Sequence, residues 1–374
     1  MRKKISGLVF IALIGMSSLP AQSNHPEPHT LEIGSKAINF SLPGVDGKTY
    51  SLKDFKAEVL VIIFSCNHCP TAQAYEERIM TIAKEYKPQG VDLVVISPNS
   101  PRALNLSEMG YTDLGDSFDD MKARAKYLHF TFPYLYDGDD QKTSIAYGPM
   151  ATPHCFVFDK DRILQYCGRV DGHEKPGTGK GEDLRNALDA VLAGKTVATP
   201  VTKVFGCSIK WSWKDEYTRR LYQEWAELPV TLEPIDSAGI EELVRNRTNK
   251  LRLINIWATW CGPCVLEFPE LVKIDRMYRG RNFEFISISA DIMKKRTEVL
   301  EFLKDRQASN KNYIYSGDDV YKLIGAADPE WYGGIPYTII VEPGGKMVYH
   351  KPDAIDPLFI KRLIVGDSYI GRYY

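Results

Sequence analysis

A chain of 374 residues is too long for one small domain and suggests two or three. Its hydrophobic share of 44% and charged share of 25% are ordinary for globular protein. The formal net charge of -1 gives no support to nucleic acid or a membrane surface as a partner.

At the N-terminus Arg2-Lys3-Lys4 precedes an apolar stretch from Ile5 to Leu19, followed by Pro20-Ala21-Gln22-Ser23. The stretch is short for a membrane span, so residues 1–22 read as a secretory signal peptide cut near Ala21. An uncleaved anchor is the alternative. No Cys stands near the cut, which argues against a lipoprotein, and nothing later is apolar for long enough to cross a bilayer. The expectation is an exported, periplasmic or otherwise extracytoplasmic chain with no membrane span after cleavage. Its seven cysteines stand at 66, 69, 155, 167, 207, 261 and 264, and four of them make two Cys-x-x-Cys pairs. An odd count in an oxidising compartment leaves at least one free thiol, so a purely structural disulfide framework is a poor account. Nearly two hundred residues separate the pairs, far beyond the spacing of one shared zinc site.

Past Ile33 to Pro43 and a turn at Gly47-Lys48, Val59 to Phe64 is continuously apolar, as a central parallel strand should be. It ends at Cys66-Asn67-His68-Cys69-Pro70, and a helix is predicted from Ala72 to Tyr86. Val91 to Ser97 reads as a strand and Phe118 to Leu128 as a helix. Thr152-Pro153 leads into the strand His154 to Phe158, which turns at Asp159 to Arg162 into a hairpin. Glu182 to Ala193 closes with an amphipathic helix. The segment from Thr196 to Pro234 is less legible; Tyr217, Leu221, Trp225 and Leu228 fall on one helical face and predict a packed stripe.

The order then recurs. Leu253 to Trp257 is an apolar run that empties into Cys261-Gly262-Pro263-Cys264. If Pro263 opens a helix, Cys261 sits at its N-terminus, where unpaired N–H groups and the macrodipole stabilise a thiolate. Cys264 lies one turn on, within reach, which suits a reversible Cys261–Cys264 disulfide: Cys261 attacks and Cys264 resolves. Repetition assigns the same parts to a Cys66–Cys69 disulfide, with Cys66 attacking and Cys69 resolving. The fold class is α/β, two tandem domains, each a mixed central sheet flanked by helices. The boundaries expected are 31–200, a connecting segment with a helix over 201–230, and 231–374.

The second half, through Trp260-Cys261-Gly262-Pro263-Cys264, Glu267-Phe268-Pro269 and Gly333-Gly334-Ile335-Pro336-Tyr337, resembles thioredoxin and more closely its exported TlpA/ResA-like branch. The first half resembles a peroxiredoxin-like (redoxin, AhpC/TSA-like) branch, through Ala37 to Pro43, Cys66-Asn67-His68-Cys69-Pro70, the Thr152-Pro153 loop and Phe205-Gly206-Cys207-Ser208-Ile209-Lys210-Trp211. The resemblance implies two thioredoxin-like folds and a thiol-disulfide oxidoreductase. It implies that Pro336 and Pro153 are cis prolines presenting backbone to partner proteins, and that Glu267 shuttles a proton for Cys264. Asn255 stands where thioredoxin has a buried Asp, which puts the acid–base work on Glu267.

The Cys-Asn-His-Cys site resembles oxidising or isomerising members and the Cys-Gly-Pro-Cys site reducing ones. If each kept its lookalike's potential, the gap would be about 90 mV, favouring a relay from Cys261/Cys264 to Cys66/Cys69. Partners implied are protein thiols and disulfides of the exported compartment, with a reducing partner at the membrane as a candidate electron source. No cofactor is implied, because no glycine-rich nucleotide loop joins a strand to a helix. Two other classes stay open. Cys66 and Cys69, with His68 or His154, make a soft set for copper or zinc delivery. A peroxidase is weakened because the position three before each first-half Cys is Ile63 or Cys66, not Thr or Ser. Cys207 reads as a buried small residue or as a third thiol; Cys155 and Cys167 read as inert core.

Overall fold

The computed structural model describes residues 25–371; the signal-peptide reading over 1–22 lies outside them. A short hairpin, β1 (Ser41–Pro43) and β2 (Thr49–Ser51), precedes β3 (Val59–Phe64), α1 (Pro70–Tyr86), β4 (Val91–Ser97), α2 (Phe118–Leu128), β5 (Tyr134–Tyr136) and α3 (Lys142–Tyr147). Then come β6 (Ala151–Thr152), β7 (His154–Phe158), β8 (Leu164–Gly168), α4 (Glu182–Leu192), β9 (Cys207–Ser208) and α5 (Asp215–Ala226). The second half runs β10 (Glu233–Ile235), α6 (Ser237–Arg245), β11 (Leu251–Trp257), α7 (Gly262–Tyr278), β12 (Phe283–Ser289), α8 (Arg296–Asp305) and β13 (Lys311–Tyr315). It closes with α9 (Val320–Ala327), β14 (Tyr337–Val341), β15 (Met347–Lys351) and α10 (Pro357–Gly366).

Two sheets result, ordered β5-β4-β3-β7-β8 and β10-β13-β12-β11-β14-β15. In the first, β3 pairs parallel with β4 and antiparallel with β7; in the second, β11 pairs parallel with β12 and antiparallel with β14. The two halves thus share one topology, with β10 as an added edge. Alternation along β3 sends Val59, Val61 and Ile63 into a core with α1 and α4, and Leu60, Ile62 and Phe64 into a core with Phe40, Leu42 and Tyr147. Burial on both faces, worth roughly 1.5–3 kcal/mol for each large side chain, is why the strand carries no polar residue. Along β11, Leu251 and Leu253 face α7 and α10, while Ile254 and Ile256 face α6 and α9.

The halves are joined by more than the chain. The loop between β4 and α2 reaches into the second half, where Leu104 and Met109 complete the core of Leu271, Ile274 and Met277. Tyr278 Oη donates to the Thr112 carbonyl at 2.7 Å, Arg281 Nη1 to the Gly110 carbonyl at 2.6 Å, and Arg362 Nε to Asp113 at 3.1 Å. The Arg281 guanidinium also lies over the Tyr111 ring, 3.9 Å from its centre. The expected stripe is only partly packed: Trp225 of α5 is buried and meets Arg276, whereas Tyr217 of α5 and Leu228, past the end of the helix, are exposed. Thr218 takes a buried place instead, so the inward face is turned from the one the apolar residues mark.

Because Arg281 bonds carbonyls of both halves, including that of Ile370, Arg281→Ala should lower the unfolding free energy of the full chain by about 1.5–3 kcal/mol in urea. Unchanged stability would mean that the Arg281 bonds add nothing to the loop's other contacts.

Candidate active sites

The strand β11 ends at Trp257, and Cys261 caps α7, its sulfur 3.3 Å from the Cys264 N–H. Pro263 stands in the first turn, where its missing N–H costs nothing. Cys261 and Cys264 form a disulfide, with Cα atoms 5.3 Å apart. Cys264 is fully buried and Cys261 reaches the surface at 6% exposure. The Ile335–Pro336 peptide is cis, and the Ile335 carbonyl oxygen lies 3.7 Å from the Cys261 sulfur. Among the described residues no strand pairs with Gly334 or Ile335. Trp260, Leu266 and Tyr332, close to the cysteine or the proline in sequence, are exposed apolar side chains. The edge beside Cys261 is therefore open, with apolar groups available to a partner chain.

Glu267 lies one turn beyond Cys264 on the same helix, and it is buried. Asn255, from the α7-facing side of β11, donates through Nδ2 to Glu267 Oε1 at 3.0 Å and to Thr338 Oγ1 at 3.0 Å. The Ile355 N–H donates to Oε2 at 2.8 Å. Burial pushes the carboxyl above its ordinary range, against the lowering effect of these two hydrogen bonds. Asn255 thus occupies the buried polar position without an acid of its own and holds the acid that is there.

The first site is shifted by one turn relative to its helix. The strand β3 ends at Phe64, Pro70 is the first residue of α1, and Cys69 is the cap, accepting from the Ala72 N–H at 3.4 Å. Cys69, the second cysteine of its motif, holds the place that Cys261, the first of its motif, holds in the other domain. Cys66 lies outside the helix with its sulfur 3.1 Å from Thr152 Oγ1, beside the cis Thr152–Pro153 peptide. The structure holds both as buried thiols.

Burial alone would raise both thiols. For Cys69 it is outweighed by thiol hydrogen bonds from Cys207 and Cys66, the charge of His68 and the Ala72 N–H, which bring it well below the ordinary thiol range. Burial and the donated hydrogen bond hold Cys66 well above that range. Of the two, it is Cys69 and not Cys66, the cysteine expected to attack, that the structure places at the cap of α1. When protonated, Cys69 can donate to the Thr152 carbonyl at 3.3 Å, so both states are accommodated. Pro70 carried this signal in the sequence, by the rule applied to Pro263.

His68 Nδ1 meets Asp116 Oδ2 at 2.5 Å, and both groups are buried. Asp116 also accepts from the Asn67 and His68 N–H groups through Oδ1 and from Asn99 Nδ2 through Oδ2. Burial disfavours both charges, but the pairing wins: the imidazole is raised and the carboxyl lowered, an imidazolium–carboxylate pair. Asp116 was not singled out in the sequence, where it stands 48 residues from His68.

Cys66, His68 and Asp116 offer ligand atoms within 4.8 Å of one another. Asp116 nonetheless has both oxygens engaged by four donors, and His68 Nδ1 is one of them. His154 is not part of this group. Its Nδ1 accepts from the Met150 N–H at 3.2 Å, its Nε2 meets Cys167 Sγ at 3.2 Å, and burial lowers it to about 4, so it stays neutral. Of the alternative metal set Cys66, Cys69, His68 or His154, the structure thus brings Cys66 and His68 together, with Asp116, and leaves His154 outside. Cys155 and Cys167 are buried in the β7–β8 ladder; burial raises both, Cys167 to about 12.

Comparison with known proteins gives two family matches: the AhpC/TSA family model over residues 33–167 and the Redoxin family model over residues 236–356. Among curated relatives, the thiol-disulfide oxidoreductase ResA of Bacillus thuringiensis subsp. konkukian is 29% identical over 165 residues, covering 43% of this chain and 78% of that protein. The thiol:disulfide interchange protein HelX of Rhodobacter capsulatus is 25% identical over 126 residues, covering 32% and 61%. A solved structure of an uncharacterized conserved protein from Geobacillus kaustophilus is 36% identical, covering 50% of this chain and 95% of that one, with a TM-score of 0.44.

Two outcomes follow from the buried acids. The raised Glu267 favours the folded state most below the ordinary carboxyl value of about 4.5, and that contribution is lost as pH climbs through its folded value. Urea unfolding from pH 4 to 8 should therefore show wild type losing stability relative to Glu267→Gln as pH rises, and a pH-independent difference would contradict this. For the other pair, His68 contributes most below about 6.5 and loses this as pH rises through its raised value; Asp116 contributes above about 3.8 and loses this as pH falls through its lowered value. Asp116→Asn should cost about 3–5 kcal/mol between those limits. It should also move the 240 nm thiolate titration of a Cys261→Ser/Cys264→Ser background to higher pH; an unmoved titration would show that the ion pair does not act on Cys69.

Proposed function

Since the chain belongs to the thioredoxin superfamily, with two redoxin-type domains in tandem, and is a thioredoxin-like oxidoreductase, we propose that it exchanges disulfides with exported proteins and relays electrons between its two sites. The observation that carries this reading is the disulfide between helix-capping Cys261 and buried Cys264 beside cis-Pro336, on an open edge. In the reducing direction, the Cys261 thiolate attacks a partner disulfide, forming a mixed disulfide and releasing one partner thiolate. Cys264, its proton taken by Glu267, attacks the Cys261 sulfur; the second partner thiolate leaves and two electrons have passed to the partner. A dithiol donor at the membrane returns the pair to its reduced state.

Export rests on the segment from Arg2 to Ser23, and the names of ResA and HelX support disulfides of other proteins as the substrate class. For the relay, the support is electrostatic. An imidazolium beside Cys69 stabilises the thiolate and with it the reduced first site, which raises that site's potential; no such cation caps Cys261 among the groups described above. Electrons would then run from Cys261/Cys264 to the Cys66/Cys69 site.

The test is the reduction potential of each site, measured in full-length chains with the other Cys-x-x-Cys pair changed to Ser, by equilibration against glutathione and dithiothreitol. A more reducing Cys261/Cys264 pair, together with loss of reduction of the first site in Cys261→Ser, is the expected result. Equal potentials would sink the relay, and failure of Cys261/Cys264 to cycle would sink the oxidoreductase reading of that site.

A further inference from the structure

The two cis-proline edges differ in one respect. Beside Pro336 the edge is open, whereas beside Pro153 it is filled from within the chain: β6 pairs antiparallel with β9, Ala151 against Ser208 and Thr152 against Cys207. The Cys207 N–H donates to Cys69 Sγ at 3.3 Å, and the Cys207 thiol hydrogen-bonds to the same sulfur. The approach is close enough to exclude a side chain at the preceding residue. Gly206 has φ +133, and a Cβ there would fall 2.0 Å from the Thr152 carbonyl oxygen. On the far side of β9 the Lys210 N–H donates to Asn99 Oδ1 at 2.9 Å, and Asn99 Nδ2 donates to Asp116 at 2.7 Å. The strand is thus tied into the network that charges His68.

Resting on the thiol–disulfide reading of the first site, we propose that Cys207 is the exchange partner of Cys69 and that β9 is an internal substrate strand. Covered by β9, Cys69 is fully buried, so an external disulfide reaches it only when β9 lifts from β6. The Cys69 thiolate then attacks the disulfide RS–SR, forming Cys69–S–SR and releasing RS⁻. When β9 returns, the Cys207 thiol gives its proton to the released RS⁻ and its sulfur attacks Cys69, forming Cys69–Cys207 and expelling the second RS⁻. Two electrons have moved from the cysteine pair to the external disulfide. Cys66, with its raised thiol and its contact to Thr152, serves as a hydrogen-bond donor to Cys69 and not as the first thiol to resolve it.

The test uses the full chain carrying Cys66→Ser, Cys261→Ser and Cys264→Ser, exposed to glutathione disulfide, alkylated, digested and mapped by mass spectrometry. The expected product is a peptide pair joining Cys69 to Cys207, with glutathione on Cys69 only in passing. A lasting glutathione adduct on Cys69 with Cys207 alkylated would overturn the proposal while leaving the redox reading of Cys69 intact. No reaction at Cys69 would overturn both. Should that variant fail to fold, Cys207→Ser alone decides: the adduct on Cys69 is expected to last at least ten times longer than in wild type, and release at the wild-type rate overturns the proposal.

Discussion

A helix that starts directly after the central strand leaves its first N–H groups unpaired, and in each domain a cysteine sulfur takes one of them. The constraint is geometric before it is chemical. The strand sets where the helix begins, the proline at or near the first helical position fixes that beginning, and the capping residue must accept a hydrogen bond. A sulfur there also meets the positive end of the helix, which favours its thiolate. Everything else in each site is arranged about that atom: the cis-proline backbone on one side, and on the other a partner cysteine that differs in position between the domains. In the second domain the partner is Cys264, inside the helix. In the first, residue Ala72 occupies that place, so partners must come from outside the helix, from Cys66 before it or Cys207 across from it.

The same displacement bears on peroxidase chemistry. With Cys69 as the cap, the residue three positions earlier is Cys66, whose thiol stands where a peroxidase would want a hydroxyl to orient peroxide. A thiol is a weak donor and is itself held protonated by burial. Match to the AhpC/TSA family therefore describes the scaffold of residues 33–167 more than a peroxide-reducing function. Metal delivery meets a similar obstacle. The carboxylate nearest the soft ligands is already saturated by N–H donors and by the imidazole, and freeing it would leave the His68 charge buried without its partner.

What the sequence made legible was governed by local rules. The runs Val59 to Phe64, wholly apolar, and Leu253 to Trp257, apolar but for Asn255, announced central strands because burial on both faces favours such sequences, and the repeated order of elements announced two like folds. Hidden were features set by long-range contact. Asp116 reaches His68 from the loop between β4 and α2, a loop that Tyr278 and Arg281 of the other domain also bond. Trp225 is buried against Arg276 while Tyr217 stays exposed, and no periodicity within α5 encodes that. The shift of the first site was legible in Pro70 but was masked by the symmetry of the two Cys-x-x-Cys motifs, which invited equating first cysteine with first cysteine.

That symmetry fails for a physical reason with functional weight. A cysteine pair within one helical turn, as at Cys261 and Cys264, closes on itself and leaves its cis-proline edge free for a partner. A cap cysteine whose edge is occupied by its own chain has a different relation to the outside: entry requires breaking the β6–β9 ladder and the Lys210–Asn99 hydrogen bond. Breaking that bond frees Asn99, one of the donors that hold Asp116 ionised, so lifting the strand also loosens the support of the His68 charge that lowers Cys69. Access and acidity are therefore opposed in the first domain. A site so built reacts slowly with partners at large and favours whatever can displace or mimic β9, which makes the segment around Cys207 the element that sets its selectivity.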